Sequence, residues 1–383
     1  MGLVDVRTAS DGEEALHIIR DSLAGGEPVN LILVDLRMPN MDGAEFLRFI
    51  KEEDHQAGII LTSALDSRIL SAAESLARAR ELNILGALEK PLKVEELRHL
   101  LNKAHSRETR RKKLPPCSLR SHDLARAIQN AETFLYYQPQ VSTENGSIKG
   151  IEVLARWKHP DLGFISPEFF VPLAEEEGLV SELTEKVLRV SLAQSADWIR
   201  SGCDHRIAVN ISVDLLSDVL LPDRVEEIAL QEGLSTESII LEITESRGIV
   251  HLADALEVLT RFRLKGFGLS IDDYGTGNST LEQLRRFPFT ELKIDQAYVT
   301  GAVNERSIHV MLESTISMAR KLGLRVIAEG VETREELELV VRMECDEVQG
   351  FYFARPMPSQ ELMPWIREYR AHGPVMEERV LAS

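Results

Sequence analysis

The chain is poor in cysteine and has no long apolar run. Its three cysteines, Cys117, Cys203 and Cys345, are far apart and lack CxxC spacing, which favours reduced thiols over disulfides. No run of about eighteen apolar residues is present, so the sequence predicts no membrane span. The first residues lack the basic and then apolar stretches of a signal peptide. We therefore expect a cytoplasmic protein without membrane contact.

Positive charge is also scarce. The sequence has 62 acidic and 44 basic residues and a formal net charge of -18, which argues against binding to the backbone of a nucleic acid polymer. The basic run at 107–113 stands beside Pro115 and Pro116 and is typical of a solvated linker. A small anionic ligand is still compatible with an acidic chain if metal ions and a few basic side chains line its pocket.

Strand-like and helix-like segments alternate over most of the chain, whose 383 residues suit two domains. We predict an α/β unit over 1–105, a basic, proline-containing linker over 106–118, a larger α/β unit over 119–372 and a tail over 373–383. Continuous apolar runs such as Leu31-Ile32-Leu33-Val34 are typical of strands buried on both faces of a parallel sheet.

In the first unit we predict strands at 4–9, 31–35, 58–63 and 85–88, and helices at 12–23, 43–51, 67–82 and 94–104. This order is typical of a doubly wound, flavodoxin-like sheet, in which functional residues lie beyond the C-terminal ends of the strands. Asp35 and Ser63 end their strands, and Lys90 follows another. These three residues are therefore candidates for one site.

The second unit carries eight predicted strands, at 133–138, 150–156, 206–212, 238–244, 268–272, 291–295, 325–329 and 346–350. Helices between most of them and a span of about 250 residues predict a TIM-like (β/α)8 barrel, whose strand C-termini open onto one face. Polar residues stand at these ends: Glu152, Asn210, Glu242, Asp272, Asp273, Lys293, Glu329 and Gln349.

These strand ends predict a site for hard cations and phosphate. The oxygen ligands for one or two divalent ions would be Glu152, Asn210, Glu242 and Asp272 or Asp273. Mg²⁺ prefers such ligands, and we expect no histidine at a strand C-terminus, which disfavours zinc or iron. Two ions about 3.5–4 Å apart would stabilise both the attacking and the leaving oxygen of an in-line phosphoryl displacement. Lys293 would neutralise phosphate charge or help position water, and Glu329 would act as the general base.

The motifs on these strands resemble those of the EAL-domain cyclic di-GMP phosphodiesterases. They include Gly150-Ile151-Glu152-Val153-Leu154-Ala155-Arg156-Trp157, Val209-Asn210-Ile211-Ser212, Leu241-Glu242-Ile243-Thr244-Glu245, Asp272-Asp273-Tyr274-Gly275-Thr276-Gly277, Leu292-Lys293-Ile294-Asp295, Ala328-Glu329-Gly330-Val331-Glu332 and Gln349-Gly350-Phe351. The resemblance spans residues 119–370. It implies a barrel with a reversed first strand that uses two Mg²⁺ (or Mn²⁺) ions to hydrolyse cyclic di-GMP to linear pGpG in bacterial signalling.

The resemblance also implies roles for single residues. The implied metal ligands are Glu152, Asn210, Glu242, Asp272 and Asp273, with Glu152 counted among the catalytic residues beside Lys293 and Glu329. Arg156 would hold a substrate phosphate, Gln138 would lie near the substrate pocket and Gln349 would support the site. Glu245 would anchor the glycine-rich loop after Asp273, through which family members couple dimerisation to metal binding. Asn278 departs from the aromatic residue usual in that loop.

The first unit resembles the receiver domains of response regulators. The matching segments are Leu33-Val34-Asp35-Leu36-Arg37-Met38-Pro39, Leu61-Thr62-Ser63-Ala64 and Glu89-Lys90-Pro91. The resemblance implies that Asp35 is the phosphoacceptor for a cognate histidine kinase, with Ser63 and Lys90 as its partners. The chain begins at what would be the second strand, so we expect the first strand and helix to be missing, together with the acidic pair that holds Mg²⁺.

The complete ligand set favours an active cyclic di-GMP phosphodiesterase with a receiver-type regulatory domain. The alternative is a cyclic di-GMP receptor with little or no turnover, although receptors of that kind usually lose residues such as Glu152, Lys293 and Glu329. An interaction protein that uses its barrel only as a scaffold is a third reading, which the ligand set disfavours. We expect a homodimer or a higher homo-oligomer formed through the barrel.

Overall fold

A computed structural model describes residues 6–26, 28–52, 57–64, 67–80, 82–94, 97–98, 100–101, 119–130, 132–203, 205–244, 251–274 and 281–372. The chain divides into two compact units, residues 1–118 and 119–383. The linker predicted over 106–118 and the tail predicted over 373–383 lie outside the described residues. None of the described helices is both long enough and apolar enough to cross a membrane.

The first unit contains a parallel three-stranded sheet. Its strands are β1 (Leu31–Asp35), β2 (Gly58–Ser63) and β3 (Ile84–Glu89), in that order. The helices are Gly12–Ala24, Gly43–Glu52 and Ser67–Ala79. Every residue of β2 is buried, because helices cover both faces of a parallel sheet. The predicted parallel α/β architecture is therefore confirmed for this unit.

Two predicted elements of the first unit lie only partly within the described residues. The strand predicted over 4–9 is wrong in its described part, since residues 6–9 carry no strand pairing. Residues 4 and 5 lie outside the described residues. The prediction that the run 31–34 is buried on both faces is also wrong: among the described residues β1 pairs with β2 alone, and Leu33 on it is 49% exposed. In the helix predicted over 94–104, the described positions 94, 97, 98, 100 and 101 are helical.

The second unit is an eight-stranded closed barrel, as predicted. Its ring runs through β4 (Thr133–Ser142), β5 (Ile148–His159), β7 (Arg206–Ile211), β8 (Ile239–Thr244), β9 (Gly268–Tyr274), β10 (Glu291–Ile294), β11 (Arg325–Ala328) and β12 (Glu347–Val348). β4 pairs antiparallel with both β5 and β12 and so closes the ring. The expected reversal of the first strand is therefore present. Two short strands, β6 (Gly163–Ile165) and β13 (Met357–Pro358), add to β5 and β4.

Helices surround the barrel. They are Ser121–Gln129, Pro167–Glu176, Val180–Arg200, Leu221–Gln231, Leu252–Leu264, Leu281–Arg286, Gln296–Asn304, Arg306–Lys321, Arg334–Arg342 and Ser359–His372. Alternate strand residues face them: on β8, Ile239, Leu241 and Ile243 belong to the hydrophobic core, whereas Glu242 points into the barrel toward Lys293. The barrel interior is thus largely polar, and its apolar core lies between strands and helices.

A charged cluster closes the N-terminal end of the barrel. Arg206 donates from Nη1 to Glu291 Oε1 at 2.6 Å and from Nη2 to Glu347 Oε1 at 2.5 Å, and Arg325 also contacts Glu291. Burial raises the pKa of Glu291 to about 7, even though the charge of Arg206 opposes the shift. Polar groups at this end of such barrels usually serve stability, so the functional site is expected at the opposite end.

Candidate active site at the barrel mouth

The ammonium group of Lys293 lies at the centre of the polar end of the barrel. Its Nζ is 2.7 Å from Glu329 Oε1, 3.0 Å from Glu242 Oε1, 3.2 Å from Glu152 Oε1 and 3.4 Å from Asp272 Oδ1. The Lys293 side chain is only 1% exposed. The four acids come from four different strands, on or directly after β5, β8, β9 and β11, and they meet because these parallel strands share one mouth.

Amide side chains hold the carboxylates in place. Asn210 Nδ2 donates to Glu242 Oε2 at 3.2 Å and to Glu152 Oε1 at 3.4 Å. Gln349 Nε2 donates to Glu152 Oε2 and, at 3.0 Å, to Gln138 Oε1. Gln138 in turn donates to the carbonyl of Ala354 at 3.0 Å. These contacts fix the direction of the Glu152 carboxylate from both sides.

The backbone around the site adopts conformations that few residues tolerate. Gly330, directly after Glu329, has a φ of 65°, and a Cβ there would lie 2.3 Å from Cγ of Gln296. A Cβ on Gly350, directly after Gln349, would lie 2.1 Å from the carbonyl oxygen of Val331. Only glycine fits such close approaches. Asp273 also has a positive φ, 55°, which aspartate tolerates better than most residues.

The electrostatics of the site are dominated by crowded negative charge. Burial raises the pKa of Glu242 well above its ordinary value and does the same for Glu329, although Lys293 partly offsets both shifts. Burial also acts to lower the pKa of Lys293, but the surrounding carboxylates raise it well above its ordinary value. Burial and the charge of Asp272 raise the pKa of Asp273 to about 6. One ammonium cannot neutralise this many carboxylates.

Glu152 behaves differently from its neighbours. Burial acts to raise its pKa, but the charge of Lys293 and the hydrogen bond from Gln349 outweigh burial and lower it. Unlike Glu242 and Glu329, Glu152 is therefore favoured in its ionised form, which is the form that ligates a metal ion.

The donor set fits a hard divalent cation. Among the described residues, Asp272, Asp273 and Glu329 bring carboxylate oxygens within 4.8 Å of one another. Oε1 of Glu242 is fully buried without a hydrogen-bond partner, although the Lys293 ammonium lies 3.0 Å away. Oxygen-only donors with excess negative charge are the composition that Mg²⁺ and Mn²⁺ prefer.

One histidine does end a strand, contrary to the prediction. β5 continues to His159, whose Nδ1 accepts hydrogen bonds from the backbone N–H groups of Asp161 and Leu162 at 3.1 and 3.2 Å. This nitrogen stabilises the turn that follows, so its lone pair is already used in hydrogen bonds and does not serve as a metal ligand here. The error arose because β5 runs three residues past its predicted end at Arg156.

The rim of the mouth carries a cation and an aromatic ring. Arg156, half-buried on β5, places its guanidinium 5.6 Å from the ring centroid of Tyr136 on β4. Burial lowers the pKa of Arg156, with Glu152 opposing the shift. Sequence analysis missed Tyr136; its position two residues before Gln138, on the same face of β4, was the available signal.

The structure brings together most residues predicted for the barrel site. A connected network of hydrogen bonds and ion pairs joins eight of them: Gln138, Glu152, Asn210, Glu242, Asp272, Lys293, Glu329 and Gln349. Asp273 lies beside Asp272, and Arg156 lies at the rim. The predicted loop anchor Glu245 and the unusual Asn278 lie outside the described residues.

The three residues predicted for the first unit also lie at one end of their sheet. Lys90 donates from Nζ to Asp35 Oδ2, and the backbone N–H of Arg37 donates to Asp35 Oδ1 at 3.1 Å. Burial acts to raise the pKa of Asp35, but these hydrogen bonds outweigh it and lower the pKa. Ser63 is fully buried at the end of the neighbouring strand β2.

Both units match known protein families. The EAL domain matches residues 121–356, and the response regulator receiver domain matches residues 1–102. The chain belongs to the EAL domain family. Its EAL barrel therefore follows a receiver domain in the same chain.

Individual relatives match nearly the whole chain or about two thirds of it. The chain is 33% identical over 359 residues to the cyclic di-GMP phosphodiesterase RocR of Pseudomonas aeruginosa, covering 93% of this chain and 91% of RocR. It is 38% identical over 243 residues to MucR of the same organism, a bifunctional diguanylate cyclase and cyclic di-GMP phosphodiesterase, covering 63% of this chain and 36% of MucR.

Solved structures resemble the EAL barrel closely. The MucR phosphodiesterase in complex with c-di-GMP has a TM-score of 0.60 and 38% identity, covering 63% of this chain and 98% of that one. The EAL enzyme Bd1971, bound to cAMP and cyclic di-GMP, has a TM-score of 0.61 and 26% identity, covering 79% of this chain and 77% of that one. Both of these structures contain bound cyclic di-GMP.

Proposed function

We propose that the EAL barrel hydrolyses cyclic di-GMP to linear pGpG with divalent metal ions, and that the receiver domain belongs to its regulation. The observation that carries this proposal is the buried cluster in which Lys293 lies within 3.4 Å of four carboxylates. RocR and MucR, which share the EAL domain, are named as cyclic di-GMP phosphodiesterases. Cyclic di-GMP is therefore the substrate to test first.

The proposed cofactor is a pair of Mg²⁺ or Mn²⁺ ions. The residues that would hold them are Glu152, Asn210, Glu242, Asp272 and Asp273. When bound, such ions supply charge neutralisation for the phosphate and a more acidic water for attack. The excess negative charge around Lys293 supports this assignment, as do the carboxylate oxygens of Asp272, Asp273 and Glu329, which lie within 4.8 Å of one another.

The chain's own groups account for the remaining steps. Arg156 at the rim binds a phosphate of the incoming dinucleotide. Water attacks phosphorus in line with the ribose 3′ oxygen, so that a new P–O bond forms as the P–O3′ bond breaks, and the released O3′ takes up a proton from solvent water to become the 3′-hydroxyl. The carboxylate of Glu329 accepts the proton that water loses, and Lys293 Nζ, 2.7 Å from Glu329 Oε1, holds that carboxylate in position. Lys293 offsets negative charge around the phosphate.

Product analysis tests the enzyme directly. The purified chain is incubated with cyclic di-GMP and Mg²⁺ or Mn²⁺, and the products are separated by chromatography. We expect linear pGpG, its loss in EDTA and its return when metal is added. Glu329→Gln should reduce the rate about 10²-fold, the lower end of what a general base contributes.

The same assay separates enzyme from receptor. Saturable binding of cyclic di-GMP without product would favour the alternative, a receptor with little turnover. Absence of both would exclude both readings. The intact Glu152, Lys293 and Glu329, all in contact, support turnover.

The receiver domain provides a second prediction. Asp35→Asn is expected to leave the basal rate of hydrolysis unchanged, with or without a small phosphodonor, because the described residues place no group of three metal-type donors around Asp35. A change of about fivefold or more, the low end of allosteric coupling, would show that the receiver still controls the barrel. A cognate histidine kinase and homo-oligomerisation through the barrel stay predictions.

A further inference from the structure

The strands β4 and β5 continue beyond the ring of the barrel as a two-stranded ribbon. β5 pairs with its barrel neighbour β7 only over Gly150–Val153, whereas it pairs with β4 as far as Trp157. β6 then adds to β5 at residues 157–159. The outer half of β5 therefore stands above the mouth, next to the candidate active site.

One face of this ribbon continues from the catalytic carboxylates. Glu152 points into the barrel, and side chains two residues apart on a strand share a face. Trp157, fully buried in the hydrophobic core, marks the opposite face. Arg156 and Lys158 therefore share the face of Glu152. We call the residues on this side the ribbon face: Phe134, Tyr136, Arg156, Lys158 and Phe164.

The strand register places the aromatic members opposite the cations. Phe134 pairs with Arg156 on the antiparallel β4, and Phe164 pairs with Lys158 on β6, so each pair shares the ribbon face. Lys158 lies six residues from Glu152, about 20 Å along the strand. The ribbon face is therefore long enough to contact parts of a ligand other than the phosphate bound at the mouth.

The outer end of the ribbon face exposes an aromatic ring beside a cation. Phe164 is 60% exposed, its ring centroid is 6.0 Å from that of Phe134, and the Lys158 ammonium lies over its ring, 5.8 Å from the centroid. A base that stacks on this ring would take the place of the ammonium and leave it at the edge of the base. An exposed aromatic ring is a stacking surface for a nucleobase. A lysine at the edge of that base can donate to O6 and N7 of guanine, whereas adenine presents a donor at the equivalent position.

We infer that Phe164 and Lys158 form the subsite for the guanine farther from the cleaved phosphate. Phe164 stacks on the base, and Lys158 selects guanine by donating to its O6 and N7. The inference rests on the proposed function and adds to it two specificity-determining residues that touch no metal ligand. The ribbon face is continuous with Glu152, so one ligand can extend from the mouth along it. Arg156 and Lys158 on this face would balance the two negative charges of a cyclic dinucleotide.

The test compares four variants by steady-state kinetics on cyclic di-GMP. Phe164→Ala should raise KM about tenfold, in the range that base stacking provides, with kcat nearly unchanged. Phe164→Tyr, which keeps the ring, should restore the wild-type KM. Lys158→Met should reduce the preference for cyclic di-GMP over cyclic di-AMP about tenfold. The matched control is Phe169→Ala, a phenyl 52% exposed on the helix Pro167–Glu176, which should change neither parameter.

The outcomes separate this inference from the proposed function. If the wild type hydrolyses cyclic di-GMP and Phe164→Ala keeps its KM, the subsite is wrong and the phosphodiesterase stands. If the wild type binds without turnover, Kd replaces KM; weaker binding by Phe164→Ala then supports the subsite while the catalytic proposal fails. A wild-type chain that neither binds nor hydrolyses the dinucleotide overturns both.

Discussion

Replacing Glu152 by glutamine is expected to abolish hydrolysis of cyclic di-GMP while the barrel stays folded. The side chain is nearly isosteric, so packing at the mouth is retained, but the charge that ligates a metal ion is lost. Changes to groups that only support a ligand cost about 10–100-fold in metal affinity or activity, so loss of a direct ligand should exceed about 10³-fold. The charge of Lys293 and the hydrogen bond from Gln349 also lower the pKa of Glu152 and so favour its ionised form.

Two measurements accompany this variant. Thermal unfolding without metal should stay cooperative but with a lower Tm, because the ionised Glu152 stabilises the fold and the amide sets an N–H donor against Lys293 or Gln349. Addition of Mg²⁺ or Mn²⁺ should raise the Tm of the wild type more than that of Glu152→Gln. Glu168→Gln, an exposed acid in the first turn of the helix Pro167–Glu176, is the control and should behave as the wild type. Full turnover by Glu152→Gln would disprove the metal assignment.

Replacing Lys293 by methionine is expected to have a large effect on stability as well as on activity. The substitution fills the same space but leaves Glu152, Glu242, Asp272 and Glu329 without the cation they share. Removing one partner of a buried ion pair typically costs about 3–5 kcal/mol. We expect the free energy of unfolding without metal to fall by this amount, and hydrolysis to be lost.

Metal and pH should both restore part of that stability. Bound divalent ions replace the missing positive charge, so they should stabilise Lys293→Met more than the wild type. The folded-state pKa values of Glu242 and Glu329 are raised above their ordinary values, so the folded form binds more protons than the unfolded form and loses stability as pH rises. Lowering the pH from about 8 to about 6 should therefore recover stability in the metal-free variant.

The control for Lys293 is a lysine with surface ion pairs. Lys265 lies 2.9 Å from Asp223 Oδ1 and 2.5 Å from Glu226 Oε2, but these pairs are partly exposed. Lys265→Met should cost no more than about 1 kcal/mol, as surface pairs usually do. Denaturant unfolding of both variants, with EDTA and with Mg²⁺, measures the difference. Equal losses in the two variants would show that the buried cluster does not depend on Lys293 for charge balance.

Much of the barrel and its site was predictable from sequence because the necessary signals are local. An apolar run that ends in a polar residue identifies both a strand and its tip, and consecutive tips on parallel strands must meet at one mouth. This pattern was sufficient to predict that Glu242, Asn210 and Lys293 lie together at the mouth of the barrel. The apolar run 31–34 was a weaker guide, since it predicted a strand buried on both faces whereas Leu33 on β1 is 49% exposed.

Other features depended on strand length and closure. The histidine prediction failed because the outer half of β5 is stabilised by pairing with β4 and β6, which lie elsewhere in the chain. The strand over 6–9 failed because a strand exists only if a neighbour pairs with it, and the sequence pattern alone does not supply that neighbour.

The sequence by itself determined which residue types stand at the strand ends, and hence that the site is rich in carboxylates and has one lysine. Only the tertiary structure placed Lys293 among the four acids and joined Gln138 to Gln349, 211 positions away, beside Glu152. The physical reason is that strand periodicity fixes the face on which a side chain lies, whereas distances across the mouth are set by barrel closure, through the pairing of β4 with both β5 and β12.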